Sequence, residues 1–263
     1  MVVPVRITDP SDPRVDEFRD LKDVARRVAG TFVAESELVI RRLFASAYGI
    51  RSLLLAPNRV GRLGDLLEST SAPVFVAEQA ILERIVGFAL HRGGLAIGER
   101  LPLPTLDAIV ADAQTVVVLD DVVDPDNIGA IFRHAAAFGV GAVVLSASTG
   151  DPLYRKSVRT SMGHVFAMPY ARVSSSESLI AVLRRNGFTT LAFTPSATAT
   201  DVRCVDPSPI DRLAILVGSE SVGLSAAVLD QADLRVRIPI ASGVDSLNVA
   251  TSTAIALFAL SSK

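Results

Sequence analysis

Three stretches in the second half of the chain combine glycine, amide, hydroxyl and carboxylate groups with the start of a helical pattern. The first is Asp120-Asp121-Val122-Val123-Asp124-Pro125-Asp126-Asn127. Its carboxylates could hold Mg2+ or supply a nucleophile. Equally, Asp126 or Asn127 would cap the following helix, where negative charge is favoured. The second, Val217-Gly218-Ser219-Glu220-Ser221-Val222-Gly223-Leu224-Ser225, has glycines that let a ligand approach the backbone and a Glu220 able to accept hydrogen bonds from it. The GxGxxG and Walker patterns are both absent. The third, from Ile238-Pro239 to Ser246-Leu247-Asn248-Val249, leads into an apolar helix whose N-terminus Ser246 and Asn248 would cap.

One cation stands out. On the helix after the first stretch, an advance of ~100° per residue surrounds Arg133 with Gly129, Ala130, Ala136 and Ala137, and sets Ile128, Ile131, Ala135 and Phe138 opposite. A solvated face would carry Lys and Glu. A guanidinium among small residues implies close packing by a partner of that charge, or a buried structural salt bridge.

Such loops need a scaffold. Val116–Leu119, Ala142–Leu145, Thr189–Phe193 and Leu213–Val217 are unbroken apolar runs of the kind buried on both faces of a parallel sheet, with helices at 128–138, 177–185 and 250–260. Ligands bind such sheets beyond the carboxyl ends of the strands, where these three stretches fall. The first half alternates more weakly. Val15, Phe18, Leu21, Val24 and Val28 mark a surface helix. Strands are expected at 31–34, 50–56, 73–77 and 88–91, and helices at 36–47 (capped by Ser36), 60–67 and 78–86. The turn formers from Gly93-Gly94 to Pro104 predict a linker. The expected class is therefore α/β, with domains at 1–106 and 107–263.

The 263 residues are 49% hydrophobic and 21% charged, with a mean hydropathy of +0.41. That excludes a disordered chain and supplies real cores. A net charge of −2 argues against a general nucleic-acid coat and leaves any electropositive site local. With one cysteine, Cys204, no internal disulfide forms; His91, His134 and His164 are too scattered for structural zinc, so no metal is expected. No apolar run reaches the ~18 residues of a membrane span, and the start, Met1 to Arg6, lacks the order of a secretion signal. A cytoplasmic protein is expected.

Together the three stretches resemble the SpoU (TrmH) family of RNA ribose 2'-O-methyltransferases in the SPOUT superfamily. The first motif resembles Asn127-x-Gly129-x-x-x-Arg133-x-Ala135-x-x-Phe138-Gly139, the second Gly218-Ser219-Glu220-x-x-Gly223-Leu224-Ser225, and the third Ile238-Pro239 with Ser246-Leu247-Asn248-Val249. Val158-Arg159-Thr160-Ser161-Met162-Gly163 is similar to an element between the first two. Gly30-Thr31-Phe32-Val33-Ala34-Glu35 resembles the opening of an L30-like RNA-binding domain.

The resemblance implies a C-terminal parallel-sheet domain with a trefoil knot, a smaller N-terminal L30-like α/β domain, and a homodimer formed by the C-terminal domains. It implies S-adenosylmethionine (SAM) held by Gly218, Ile238 and Leu247, beside Leu216, Ser219, Pro239 and Val249, and catalysis by Asn127, Arg133, Glu220, Ser246 and Asn248, without metal. The substrate implied is RNA, with 23S ribosomal RNA the leading class. The family gives the position of Arg133 the role of base. A guanidinium keeps its proton in proteins, so Arg133 is assigned to the target phosphate. Arg155, Lys156 and Arg159 could contact RNA backbone or form a solvated turn. Two residues depart from the pattern: Ser36 and Ser221 each follow a glutamate where the family has glycine. Ser221 is expected to crowd the cofactor loop and Ser36 to affect only a helix start. Two alternatives are a non-catalytic RNA-binding or ribosome-assembly protein, and a Mg2+-dependent phosphohydrolase using Asp120 to Asp126.

Overall fold

The structure is a computed structural model and describes residues 2–19, 21–90, 93–174 and 176–260. The first stretch of chain supplies β1 (Val5–Arg6), α1 (Asp23–Val28), β2 (Thr31–Glu35), α2 (Glu37–Phe44), β3 (Ile50–Leu55), α3 (Pro57–Val60), α4 (Gly64–Leu67), β4 (Val74–Val76), α5 (Gln79–Val86) and β5 (Gly94–Glu99). Next come α6 (Leu106–Val110), β6 (Thr115–Asp120), α7 (Pro125–Ala137), β7 (Ala142–Leu145), α8 (Arg155–Thr160), β8 (Tyr170–Arg172), α9 (Ser176–Arg185) and β9 (Thr189–Phe193). The chain closes with β10 (Thr200–Asp201), β11 (Leu213–Gly218), α10 (Ala226–Gln231), β12 (Leu234–Arg237) and α11 (Val249–Leu260). No described helix is long and apolar enough to cross a membrane.

The elements form two compact units. One comprises Met1–Pro102 and Leu153–Ala167; the other comprises Leu103–Pro152 and Met168–Lys263. The segment with α8, read from sequence as part of the second domain, thus packs with the first unit. Phe166 stacks its ring against Phe32 and Tyr48, with centroids 5.3 and 5.8 Å away, and Arg42 donates a 2.6 Å hydrogen bond to the Met162 carbonyl.

The first unit is built on a mixed sheet in the order β1-β4-β3-β5-β2. Its second strand from the edge, β5, lies where sequence predicts a linker. Glycine makes that strand rather than breaking it: a Cβ at Gly98 would collide with the Phe32 ring, and one at Gly94 would press on Leu55. The turn-forming composition is a requirement of close sheet packing, which looks the same as a loop in one dimension. Residues 88–90 form no strand, and His91 lies outside the described residues. The helix expected over 60–67 is two single turns. The surface helix expected from Val15 to Val28 is also split: a 3-10 turn at Pro13–Phe18 buries Val15 and Phe18, then Arg19 goes extended. The phase is lost there, leaving Val24 and Val28 exposed on α1.

The largest local departure is at Ser36. Sequence places it as a helix cap, yet its hydroxyl makes no capping bond and its backbone sits at φ 89°, ψ 152°. That region is essentially glycine's, and occupying it costs a serine about 1–3 kcal/mol.

The second unit carries a seven-stranded parallel sheet in the order β10-β12-β9-β11-β6-β7-β8. The four apolar runs read from sequence are four of its strands. The remaining strands β8, β10 and β12 carry charged or polar residues and escaped that criterion. Val116, Val118, Val144, Ala214 and Leu216 lie in one core with Leu179, Ile180 and Leu183 of α9. Arg172 ties the β7 side together by donating to the carbonyls of Ser146, Ala147, Thr149 and Gly150.

Candidate active site

Beyond the carboxyl ends of β9, β11 and β12 lies a cavity of about 440 Å³. The loop after β11 forms one wall by folding back on its own strand. The Gly223 N–H donates a 2.9 Å hydrogen bond to the Ser219 carbonyl, and a Cβ at Gly218 would collide with the backbone of Gly223 and Leu224. Gly223, at φ 73°, makes the reversal. The Ser225 hydroxyl then caps α10 by accepting from the Val228 N–H at 3.4 Å, and the Ser225 N–H meets the buried Asp120 carboxylate at 3.4 Å.

Of the residues singled out in sequence, Gly218, Ser219, Glu220, Ile238, Ser246, Leu247 and Val249 line the cavity. Leu216 and Pro239 are not among its lining residues; the Leu216 side chain is in the strand core. Sequence reading missed Phe193 at the end of β9 and Thr194 and Pro195 after it, and gave no role to Ile240 and Asp245 within the third stretch. The β9 loop has no glycine pattern to announce it; only its place at a strand end next to β11 could have done so.

Asn127 in the first turn of α7, Glu220 after β11 and Asn248 before α11 form one hydrogen-bonded chain. Asn248 Oδ1 accepts from the N–H groups of Ala250 at 3.0 Å and Thr251 at 3.1 Å, capping α11. Its Nδ2 donates to Asn127 Oδ1 at 2.8 Å, and Asn127 Nδ2 donates to Glu220 Oε1. Capping and bridging are thus one arrangement: the cap fixes the Asn248 amide, which fixes that of Asn127. The α7 cap is Asp124, accepting from the Asp126 N–H at 2.7 Å, with Pro125 in the first turn; Asp126 and Asn127, the capping candidates from sequence, lie inside the helix.

Arg133 is exposed on α7, while Ile128, Ile131 and Ala135 are buried. The guanidinium has no hydrogen bond or ion pair among the described residues, which removes the buried salt bridge. Gly129 is buried and Phe138 is 37% exposed, so the helix faces are less cleanly divided than the angular count implies. Phe138 instead meets Phe258 of α11 edge-on, with ring centroids 6.5 Å apart. Burial holds the imidazole of His134 below its usual range, and the charge of Arg133 pushes the same way.

Ser221 does not crowd the loop. It is exposed, has no positive φ, and shares a 3.4 Å hydroxyl contact with Ser219. The carboxylates of the first stretch do not converge. Asp120 and Asp124 are engaged as above, and no three His, Cys, Asp or Glu side chains group as metal ligands among the described residues. In the first unit Arg155 stacks its guanidinium 4.1 Å over the Phe88 ring and donates from its backbone to Asp23 at 2.8 Å, whereas Lys156 and Arg159 are exposed.

This fold is shared with solved methyltransferases. The chain superposes on an AdoMet-bound rRNA methyltransferase from Sinorhizobium meliloti with a TM-score of 0.84, at 30% identity, covering 97% of this chain and 96% of that one. It superposes on the SpoU methyltransferase AviRb from Streptomyces viridochromogenes, in complex with AdoMet, with a TM-score of 0.82 at 25% identity, covering 95% and 97%. The class is therefore a SPOUT methyltransferase. A tRNA/rRNA methyltransferase of Mycobacterium tuberculosis (strain H37Rv) is 42% identical over 262 residues, covering 96% of this chain and 90% of the relative. The model of the SpoU rRNA Methylase family matches residues 114–258, and the chain belongs to that family.

Proposed function

We propose that the protein transfers a methyl group from SAM to a ribose 2'-hydroxyl of RNA, with 23S ribosomal RNA as the substrate, and that it works as a homodimer. The observation that carries this reading is the chain from Glu220 through Asn127 to Asn248, which joins the start of α7 to two loops at the edge of a cavity of ligand size. SAM, when bound, supplies a methyl group on a positively charged sulfur. Gly218 lets the loop after β11 close on it, and Ile238, Leu247 and Val249 give the cavity its apolar wall. A 2'-hydroxyl is a weak nucleophile, so holding it in line with the sulfur–methyl bond is a large part of the task. Arg133 keeps its proton and binds the target phosphate. Asn127, Ser246 and Asn248 keep nucleotide and loop in register, with Glu220 anchoring Asn127. The first unit is the RNA-holding L30-like part. Lys156 and Arg159 of α8 are exposed and would contact RNA backbone there, while Arg155 stacks on Phe88.

Transfer of labelled methyl from SAM to ribosomal RNA, followed by alkaline digestion, tests the chemistry, because a 2'-O-methyl group blocks cleavage of the next phosphodiester. Label in alkali-resistant dinucleotides is expected, and Arg133→Ala should lose it while keeping SAM affinity. Label on the bases, or full activity in a folded Arg133→Ala protein, overturns the reading.

The dimer rests on α11. One side packs on α7 and β11, yet Phe258 is 73% exposed beside Phe138, an apolar pair that a second copy would cover. Phe258→Glu should give monomers or aggregates in light scattering. A wild type that is monomeric and active at micromolar concentration would rule the dimer out.

A further inference from the structure

Among the described residues, the two charged side chains lining the cavity are both acidic, Glu220 and Asp245. They differ in what they already do. Glu220 accepts from Asn127 and is part of the chain that runs on to Asn248. Asp245 has no hydrogen bond or ion pair among the described residues, and it follows a turn made by Gly243 at φ 84° and closed by the Val244 N–H donating to the Ala241 carbonyl. It lines the cavity and immediately precedes Ser246-Leu247-Asn248, the run whose Asn248 reaches Asn127.

Resting on the reading that SAM fills this cavity, the ligand's charge says what an unpaired carboxylate there would meet. SAM carries a carboxylate, an ammonium and a sulfonium, a net charge of +1; methyl transfer removes the sulfonium charge, leaving S-adenosylhomocysteine with a net charge of zero. A wall with two carboxylates and, among the described residues, no Lys, Arg or His attracts the first more than the second.

We propose that Asp245 reads the sulfonium charge, so that the cavity holds SAM in preference to its own product. The side chain acts on binding and turnover and takes no proton. Because Asp245 is exposed, solvent screens the attraction.

Titration calorimetry of Asp245→Asn with SAM, sinefungin and S-adenosylhomocysteine tests this. Sinefungin has an amine-bearing carbon in place of the sulfonium. Affinity for SAM and sinefungin should fall about three- to tenfold, with S-adenosylhomocysteine unchanged and Asp245→Glu restoring the preference. Added salt should narrow the gap in the wild type. Equal losses for SAM and S-adenosylhomocysteine would assign Asp245 to the ammonium shared by both and overturn the proposal, as would unchanged SAM affinity. A wild type that binds no SAM would instead refute the cofactor assignment on which the proposal rests.

Discussion

Glu35-Ser36 in the first unit and Glu220-Ser221 in the second are the same dipeptide at the same kind of place, the carboxyl end of a strand. Their physical states are opposite. Ser36 is buried in a backbone region suited to glycine, and neither its hydroxyl nor Glu35 Oε2 finds a partner among the described residues. Ser221 is exposed and unstrained, and Glu220 is hydrogen-bonded to Asn127. The difference comes from the next few residues of each loop. After Glu35 the chain must enter α2 at once, so the turn falls on Ser36; after Glu220 it has Gly223 to make the reversal and Gly218 to receive it. Serine in place of glycine is costly only where the turn itself is made.

The sharpest way to break this contrast is Gly218→Ala. A methyl group has no room against Gly223 and Leu224, so the loop must move, at about 3 kcal/mol or roughly a hundredfold in SAM affinity by calorimetry. Retained affinity would mean that the loop can fold back without glycine. Next in size is Ser36→Gly. Relief of strain exceeds the added chain entropy of glycine, for a net gain of about 1 kcal/mol or about 2–4 °C in Tm. A lower Tm would mean that Ser36 has a partner and is not strained. The smallest effect is expected of Ser221→Gly, within about 0.5 kcal/mol in stability and without change in SAM affinity. A marked gain in affinity would restore the idea of a crowded loop.

These two serines also show where sequence reading works. The parallel sheet was legible because strands buried on both faces are apolar at every position, as in Val116–Leu119. The hydrogen-bonded chain of Asn127, Glu220 and Asn248 was legible only as three polar residues in three separate stretches; that they meet is a product of the fold. The strand β5 was hidden because its glycines serve packing against Phe32, a contact made only once β2 is beside it. Phe193 to Pro195 were hidden for a related reason: strand order brings them to the cavity, and nothing in their own stretch indicates it. The strain at Ser36 depends on one backbone angle that the residue type would not suggest.

The place of α8 has a consequence for synthesis. Phe166 and Met162 complete the first unit, yet the ribosome delivers them only after β6, α7 and β7 have emerged. The sheet of the second unit waits longer still, because Thr115 of β6 pairs with Leu213 of β11. Both units must therefore be held open at the same time in the nascent chain, with long-range pairing setting the pace. A gene cut after residue 106 would not yield the first unit intact. It would leave the Phe32 and Tyr48 rings without Phe166 and expose a sticky apolar face that the full-length chain covers.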